Sequence, residues 1–285
     1  MDVRSWDGGA RDAGPGAIGP GTIGPDTIGP DAIGTGPADF RRPDPRIARF
    51  IADALEGART VVNIGAGAGS YESAATAVTP VEPSRSMRDR RSAALPRAVD
   101  AVAEDLPFAD REFDAAMTLF SVHQWNDVEA GLREMRRVTR GPAVVLTCDP
   151  GRVRDFWLYA YAPEVLDIEA RRHPPLERMA AALGGAGTVR TVPIPLDCTD
   201  GFNEAYYGRP EMLLDPAARQ ACSAWSFVDD GVRERFTTRL REDLDSGAWD
   251  ERFGHLRSRP FYEGSLVIVR AMPEHLTEEH HDGGT

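Results

Sequence analysis

Hydrophobic and polar positions follow a helical period in some segments of the chain and a strand pattern in others. In "DPRIARFIADAL", Asp44-Pro45 supplies a cap and a first turn. The apolar residues of this segment then follow at helical spacing, as Ile47, Phe50, Ile51 and Leu55. "GPAVVLTCD" is instead an unbroken apolar run, which is typical of a strand buried on both faces. The chain therefore combines amphipathic helices with buried strands.

Strands and helices are predicted to follow each other in turn. The strand pattern covers residues 60–64, 79–83, 97–103, 113–120, 141–149, 188–194 and 264–272. The helical pattern covers residues 44–55, 70–78, 84–95, 127–138, 153–163, 164–172 and 175–184. This alternation predicts an α/β fold with a doubly wound, mostly parallel sheet of seven strands. An aromatic- and arginine-rich insertion at 196–260 is predicted to form a helical cap over the ligand edge of the sheet.

The pattern divides the chain into four predicted regions. Residues 1–39 contain a Gly-Pro-x-x-Ile pentapeptide repeated four times. Proline at every fifth position forbids a helix, so this region is predicted to be a disordered tail. Residues 40–150 are predicted to form the ligand-binding core, and residues 151–272 to complete the sheet and carry the cap. Residues 273–285 are predicted to be a flexible, charged tail.

Composition limits the function mainly through what is missing. The chain has no lysine, so all 33 basic residues are arginine. This excludes a P-loop lysine, a Schiff-base lysine and the Tyr-x-x-x-Lys pair of short-chain dehydrogenases. The net charge of −12 disfavours nonspecific binding to nucleic acid.

The sequence also carries no sign of a membrane, secretion or metal-binding segment. No apolar run reaches the roughly 18 residues of a membrane helix, and no signal-peptide pattern opens the chain. We therefore expect a cytoplasmic protein without a membrane partner. Cys148, Cys198 and Cys222 are too widely spaced for a metal knuckle, and no metal is expected.

The first predicted strand ends in the turn Gly65-x-Gly67-x-Gly69, a pattern that is typical of nucleotide binding. Glycine lets the backbone approach a ligand closely, and a helix start offers unpaired N–H groups. Nicotinamide dinucleotide and S-adenosylmethionine both fit such a turn. The dinucleotide pattern would need glycine at position 70, which is Ser70. Glu82 ends the next strand, where a carboxylate can accept both ribose hydroxyls of either ligand.

Four segments in order resemble the class I S-adenosylmethionine-dependent methyltransferases, in particular the small-molecule group called type 11. They are "VVNIGAGAGSYE", "VEPS", "AEDLPFADREFDAAMTLFSVHQW" and "LREMRRVTRGPAVVL", and the resemblance covers about residues 44–150. It implies a Rossmann-like methyltransferase fold, S-adenosylmethionine as cofactor and methyltransferase activity.

The resemblance also implies roles for individual residues. The methionine part of the cofactor would be wrapped by Gly65, Ala66, Gly67 and Gly69. The ribose would be held by Glu82, and adenine would lie against Pro83, Ala103 and Glu104. The sulfonium would lie near Phe120 and Ser121.

Two positions depart from the family pattern. Asn63 stands where an acid usually ends the first strand, so it can bind the amino group of the cofactor only as an amide. Val102 stands at the position of an adenine-contacting aspartate, so adenine must rely on the backbone or on Glu104.

The methyl acceptor is predicted to bind beside "SVHQW". His123 follows the fourth strand, where it is either a general base or a residue that shapes the pocket. Trp125, Tyr206 and Tyr207 are candidates for the acceptor pocket, since two adjacent tyrosines do not easily face one core. No Asn-Pro-Pro-Tyr motif follows the fourth strand, which disfavours nucleobases and glutamine as acceptors. The predicted acceptor is a small molecule, with oxygen favoured over nitrogen and carbon.

Other functions stay open at the level of sequence. A methyltransferase-like protein that holds the cofactor without transferring a methyl group would explain the departures at Asn63 and Val102. An NAD-dependent oxidoreductase is disfavoured by the glycine spacing and by the missing Tyr-x-x-x-Lys pair. A scaffold that acts through its repetitive tail would bind no cofactor. The sequence carries no sign of the oligomeric state.

Overall fold

The computed structural model describes residues 3–6 and 40–273, and one mixed sheet runs through them. The strands are β1 (Val3–Trp6), β2 (Thr60–Ile64), β3 (Ala77–Val81), β4 (Ala115–Leu119), β5 (Ala143–Cys148), β6 (Ala186–Thr191), β7 (Ile194–Pro195), β8 (Phe261–Tyr262) and β9 (Leu266–Met272). In the described part of the chain, seven of them form the main sheet in the order β1-β6-β9-β5-β4-β2-β3. The short strands β7 and β8 pair separately.

Strand directions confirm the predicted doubly wound, mostly parallel architecture. β3, β2, β4 and β5 are parallel neighbours. β9 lies antiparallel between β5 and β6, so β6 runs in the same direction as β5. The carboxyl ends of the parallel strands therefore meet at one edge of the sheet, where open α/β sheets bind ligands.

Helices cover both faces of the sheet and build the cap. They are α1 (Pro45–Ala54), α2 (Arg85–Asp89), α3 (Val128–Arg137), α4 (Pro163–Arg172), α5 (Leu176–Leu183), α6 (Pro216–Gln220), α7 (Asp230–Ser246) and α8 (Ala248–Phe253). Short 3₁₀ helices lie at Val122–Gln124, Val153–Asp155, Trp157–Ala160, Asn203–Tyr206, Pro210–Leu214, Ser223–Phe227 and Gly254–Ser258. The predicted caps are confirmed at α1 and α2, where Asp44 and Ser84 accept backbone N–H groups.

Two hydrophobic cores form because successive strand residues point to opposite faces. On one face, Val61 of β2 and Val144 of β5 pack with Ile47 of α1. On the other face, the next residues along the same strands, Val62 and Val145, join the core under α3 and α5. The unbroken apolar run of β5 therefore serves both cores, as its sequence predicts.

Two predicted elements between β2 and β4 are wrong. The helix predicted over 70–78 is replaced by turns, with Tyr71 at φ 63°, and β3 begins at Ala77. A residue in the left-handed region cannot continue a right-handed helix. The strand predicted over 97–103 is reduced to one bridge between Val81 and Val99. The seventh strand of the sheet is β1 instead.

Strand β1 corrects the prediction of a disordered tail at residues 3–6. These residues pair antiparallel with β6, from Val3 opposite Arg190 to Trp6 opposite Gly187. They contain no proline, so each can take part in the ladder, and β6 would otherwise present an unpaired edge. The pentapeptide repeat and the rest of the predicted tails lie outside the described residues.

The segment at 196–260 forms a cap with an aromatic interior, as predicted. Trp225, Phe236 and Trp249 are fully buried in it, and its core is continuous with the face of the sheet that α1 covers. Helices α6, α7 and α8 lie in this cap. None of the helices in the described part of the chain has the length and apolar character that a membrane crossing requires.

Candidate functional site

The glycine turn lies where β2 leaves the sheet. Gly65, Gly67 and Gly69 have φ of 69°, 52° and 96°, a region that glycine adopts without strain. A side chain on Gly65 would also collide with Ser121, which follows β4. Glycine at position 65 is therefore required both by the backbone conformation and by the close contact of two loops.

The turn is tied to the neighbouring strand through its backbone. Gly65 and Ala66 each donate an N–H to the carbonyl of Val81, at 2.9 Å. Gly67 donates its N–H to Glu82 Oε2 at 2.7 Å, while Glu82 Oε1 accepts from Ser84 N at 2.9 Å. Each carboxylate oxygen keeps a further acceptor site, so Glu82 can still bind the hydroxyls of a ribose.

Asn63 contacts a charged pair that the sequence analysis did not single out. The Asn63 side chain donates from Nδ2 to Glu72 Oε1 at 3.0 Å, and Glu72 Oε2 pairs with Arg91 Nη2 at 2.6 Å. Asn63 is 2% exposed, and its Oδ1 has no hydrogen-bond partner among the described residues. A buried acceptor without a partner is unusual and indicates a place for a donor from a ligand.

The residues predicted for the adenine side do not form one surface in this conformation. Pro83 is exposed and Ala103 is buried. Glu104 Oε1 accepts the N–H of Asp127 at 3.0 Å, which fixes the start of α3. Val102, which replaces the family aspartate, is 40% exposed. Contact of these residues with adenine stays a prediction.

The end of β4 brings three predicted residues together. Phe120 has a φ of 54°, an uncommon conformation that is often found at functional sites. The guanidinium of Arg41 lies 5.2 Å from the centre of its ring. Ser121 Oγ accepts the indole N–H of Trp125 at 3.2 Å, so Trp125 supports the loop that faces Gly65.

His123 lies in the 3₁₀ helix that follows β4, with its ring 4.6 Å from the ring of His173. Neither ring nitrogen of His123 has a hydrogen-bond partner in the described part of the chain. Burial holds the pKa of His123 well below its ordinary value, and His173, Arg172 and Arg41 add to the effect. The ring is therefore neutral at pH 7.

A polar cluster beneath His123 was missed by the sequence analysis. Cys148, Glu169 and His173 each place a ligand-type atom within 4.8 Å of the others. Asn203 donates to Glu169 Oε2 at 2.7 Å, and Thr147 Oγ1 lies 3.0 Å from His173 Nδ1. Glu169 and His173 are four residues apart, so they share one side of the end of α4. In the sequence, only the four-residue spacing of Glu169 and His173 indicates that these two members of the cluster lie together.

The electrostatics of the cluster weigh against a bound cation. Burial raises the pKa of the Cys148 thiol and of Glu169, and lowers the pKa of His173 to about 3. The Cys148 thiol and the His173 ring are therefore uncharged at pH 7. Arg172 and Arg41 add positive charge near Glu169. The donor set resembles a zinc site, but the expectation that the protein has no metal stays a prediction.

A clasp of Arg41, Asp44, Tyr71 and Asp200 joins the cap to the glycine loop. Asp200, 2% exposed, accepts from Arg41 Nε at 2.5 Å and from the Tyr71 hydroxyl at 2.9 Å. The same Tyr71 oxygen accepts the N–H of Asp44 at 3.2 Å, and Asp44 Oδ2 accepts the N–H of Thr199. Burial and the Asp200 charge raise the pKa of Tyr71, which keeps its hydroxyl protonated as a donor. No local sequence pattern indicates this contact, because its residues are far apart in the chain.

Tyr206 and Tyr207 both lie in the cap core, against the expectation that adjacent tyrosines would not face one core. They belong to one buried cluster, because the chain turns tightly in the 3₁₀ helix Asn203–Tyr206. Tyr207 donates its hydroxyl to the carbonyl of Arg259 at 2.6 Å and stacks on Tyr262. Contact of either tyrosine with the acceptor stays a prediction.

The residues around the turn fit S-adenosylmethionine. Glycines at positive φ leave room for a close ligand, Glu82 offers acceptor sites for ribose, and Asn63 offers a buried unpaired acceptor. Residues 62–146 also match the family model described as "Methyltransferase domain". This part of the chain is a methyltransferase domain, and it is similar to the class I, S-adenosylmethionine-dependent methyltransferases. The predicted family, fold and cofactor are thereby confirmed, and the family match disfavours the nicotinamide alternative.

Curated relatives match the methyltransferase domain over part of their length. The uncharacterized protein YafE of Escherichia coli K12 is 45% identical over 60 residues, which are 20% of this chain and 29% of that protein. The ubiquinone/menaquinone biosynthesis C-methyltransferase UbiE of Stenotrophomonas maltophilia R551-3 is 34% identical over 113 residues, 32% of this chain and 45% of that protein. This chain thus spans less than half the length of these two relatives.

A solved structure extends the similarity beyond the methyltransferase domain into the cap. A protein of Anabaena variabilis ATCC 29413, named as a candidate methyltransferase from an antibiotic biosynthesis pathway, has a TM-score of 0.75 and 26% identity. The match covers 82% of this chain and 99% of that one. The two folds therefore correspond over most of the sheet and cap.

Proposed function

We propose that the protein transfers a methyl group from S-adenosylmethionine to an oxygen atom of a small-molecule acceptor, with His123 as the proton acceptor. The observation that carries the proposal is the pair of buried ring nitrogens of His123, which have no partner among the described residues. Unpaired buried polar atoms cost free energy. In a neutral imidazole one ring nitrogen is an acceptor, so the hydroxyl of a bound alcohol or phenol would donate to that nitrogen.

The neutral charge state of His123 permits this role, although the burial that lowers its pKa also makes it a weaker base than a free imidazole. Its depressed pKa keeps the ring neutral, which is the form that can accept a proton. When bound, S-adenosylmethionine would supply an electrophilic methyl group, and its sulfur would keep the electron pair of the broken C–S bond and lose its positive charge. A nitrogen of His123 would take the proton of the acceptor hydroxyl as the oxygen forms its bond to the methyl carbon. One positive charge is lost and one is gained, so the charge of the site is unchanged.

The remaining residues position the reactants and exclude water. Gly65, Gly67 and Gly69 would leave space for the methionine part of the cofactor, and Glu82 would hold its ribose. The apolar interior of the cap packs on the face of the sheet that α1 also covers. Positioning of this kind supplies much of the barrier reduction for a displacement that already has a good leaving group.

The first test is calorimetric titration of the full chain with S-adenosylmethionine, S-adenosylhomocysteine and NAD in parallel. We expect micromolar binding of the two sulfur ligands and none of NAD. Loss of that binding in Glu82→Ala would support the site at the end of β3. Binding of NAD alone would contradict the proposal.

The role of His123 is tested by His123→Asn, with the exposed neighbour Gln124→Asn as the control. General-base catalysis contributes typically about 10²–10⁴-fold to a rate, so we expect kcat to fall by that factor in His123→Asn only. Transfer of a labelled methyl group to acceptors from a panel of phenols and alcohols gives the rate. Affinity for S-adenosylmethionine should stay within about threefold. Normal turnover in His123→Asn would exclude the proton-acceptor role.

A carbon acceptor is the second candidate, because two relatives are named as C-methyltransferases in the production of quinones. A phenol that loses its proton to His123 is nucleophilic at ring carbon as well as at oxygen. Nuclear magnetic resonance of the isolated product distinguishes a methoxy group from a ring methyl group. Cofactor binding without transfer to any acceptor of the panel would favour the non-catalytic alternative.

A further inference from the structure

The Asn63 amide lies at the end of β2, directly before the glycine turn, and uses only half of its hydrogen-bonding capacity. Its Nδ2 donates to Glu72, whereas its Oδ1 is buried and has no partner in residues 40–273. The structure therefore contains an acceptor that is withdrawn from water and faces no protein donor. Such a group offers a place for a donor from outside the chain, either a ligand or a water molecule.

Glu72 determines which atom of the amide is left free. An ionised carboxylate only accepts hydrogen bonds, so Glu72 Oε1 must face the NH₂ group of Asn63. The reversed amide would place Oδ1 against Oε1, two acceptors at hydrogen-bond distance. The orientation of Asn63 is thus a consequence of the charge on its neighbour.

Arg91 fixes Glu72 in turn and connects it to the glycine turn. Its Nη2 pairs with Glu72 Oε2 at 2.6 Å, and its Nη1 donates to the Gly67 carbonyl at 3.2 Å. The two side chains are 4% and 2% exposed, for Arg91 and Glu72. An ion pair this buried is costly to break, so it holds one geometry.

We infer that Glu72 and Arg91 are positioning residues that hold the Asn63 amide with its oxygen free to accept the α-ammonium group of the cofactor. The inference rests on the proposed function, because it presumes an S-adenosyl ligand at this turn. Where the family pattern has an acid at position 63, this chain has the carboxylate on Glu72 and the amide on Asn63. The acceptor that faces the ligand is then a neutral oxygen, oriented by a charge behind it.

The test exchanges the amide and the carboxylate between the two positions. In Glu72→Gln, the new amide oxygen pairs with Arg91 and its NH₂ group faces position 63. Asn63 must then turn its oxygen towards Gln at 72 and its NH₂ group towards the ligand. In the double variant Asn63→Asp/Glu72→Gln, the carboxylate at 63 accepts from the new amide and keeps one oxygen free. The double variant has the same net charge as the native chain.

Calorimetry measures the affinity of each variant for S-adenosylmethionine and for 5′-methylthioadenosine, which keeps the nucleoside and the sulfur but lacks the amino acid part. We expect Glu72→Gln to bind S-adenosylmethionine at least about tenfold more weakly, with unchanged affinity for methylthioadenosine. The double variant should bind S-adenosylmethionine within about threefold of the native chain, or more tightly.

Four results would contradict the inference, and they can be distinguished from one another. Unchanged binding of S-adenosylmethionine by Glu72→Gln would exclude a positioning role, while leaving the proposed function intact. Equal losses for both ligands would mean that the pair only stabilises the turn. If the native chain binds neither S-adenosylmethionine nor methylthioadenosine, both the proposed function and the inference are overturned. Should Glu72→Gln not fold, a tenfold loss in the folded double variant would also contradict it.

Discussion

At the scale of single residues, Gly65 shows how one position can be fixed by two independent requirements. Its φ of 69° lies in the region that disfavours a side chain, and the space where a side chain would stand is filled by Ser121. Gly67 has a φ of 52°, but nothing lies close to the place where its side chain would be. Glycine at 67 is therefore required by the backbone alone.

This difference predicts unequal effects of alanine at the two positions. A left-handed backbone costs a non-glycine residue about 1–2 kcal/mol, which both variants should lose in the free energy of unfolding. Gly65→Ala should lose about 1–3 kcal/mol more because the β4 loop must move, by analogy with an overpacked core. It should also bind S-adenosylmethionine more weakly than Gly67→Ala.

Urea denaturation and calorimetry measure both quantities. Adding Ser121→Gly to Gly65→Ala should recover part of the lost stability, since it removes the atoms that collide. Equal stability of the two single variants would show that the contact between the two loops does not matter.

At the scale of elements, the clasp of Arg41, Asp44, Tyr71 and Asp200 joins three segments that are far apart in the chain. The segment before α1, the loop after β2 and the cap loop before Asn203 meet at the Asp200 carboxylate. The Gly201 N–H also donates to the Phe40 carbonyl at 2.6 Å. The cap is thus attached to the loop that contains the glycine turn.

We expect Asp200→Ala to lower the free energy of unfolding by about 1–3 kcal/mol, because Arg41 and the Tyr71 hydroxyl lose their acceptor. The matched control is Asp197→Ala in the same loop. Asp197 is 80% exposed and pairs with Arg46, and an exposed ion pair contributes about 0–1 kcal/mol. Thermal and urea unfolding compare the two variants. A loss in Asp197→Ala as large as that in Asp200→Ala would contradict the role of the clasp.

At the scale of the whole molecule, the interface of sheet and cap buries titratable groups of both kinds. Burial and the nearby Glu169 carboxyl raise the pKa of Glu204 to about 7, whereas burial lowers the pKa of His123 and His173. Glu204 takes up a proton in the folded state below pH 7, before it does so in the unfolded chain. The histidines take up protons in the unfolded chain first. The two kinds of group therefore have opposite effects on stability between pH 7 and pH 5.

This balance predicts a pH-dependent effect of Glu204→Gln. The stabilisation from the raised pKa of Glu204 is fully present below the unfolded pKa of about 4.5 and is lost as the pH rises through about 7. The stability gap is the free energy of unfolding of the native chain minus that of Glu204→Gln. This difference should therefore be more positive at pH 5 than at pH 7, by about 1–2 kcal/mol.

Urea denaturation at the two pH values measures this gap, with Glu242→Gln on the exposed face of α7 as the control. The control should show the same gap at both pH values. A gap for Glu204→Gln that narrows at pH 5 would reverse the sign and exclude a raised pKa in the folded protein.

Most of the architecture could be predicted from the sequence. The strand–helix alternation, the glycine turn and the cap follow from local patterns, and the fold confirms them as structural elements. Binding of the cofactor at the glycine turn stays a prediction. The helix at 70–78 was wrong because the φ of Tyr71 is set by its contacts with Asp44 and Asp200. No local pattern contains that information.

The sequence by itself determined which residues could serve a nucleotide-like ligand, because the backbone freedom of glycine and the alternation of strand residues are local properties. The tertiary structure alone decided how the side chains are used. It paired Asn63 with Glu72 and Arg91, placed His123 against His173, and gathered Glu169 and its partners beneath them. These contacts depend on distance and burial between elements remote in the chain, which set both the free hydrogen-bonding atoms and the charge states of the site.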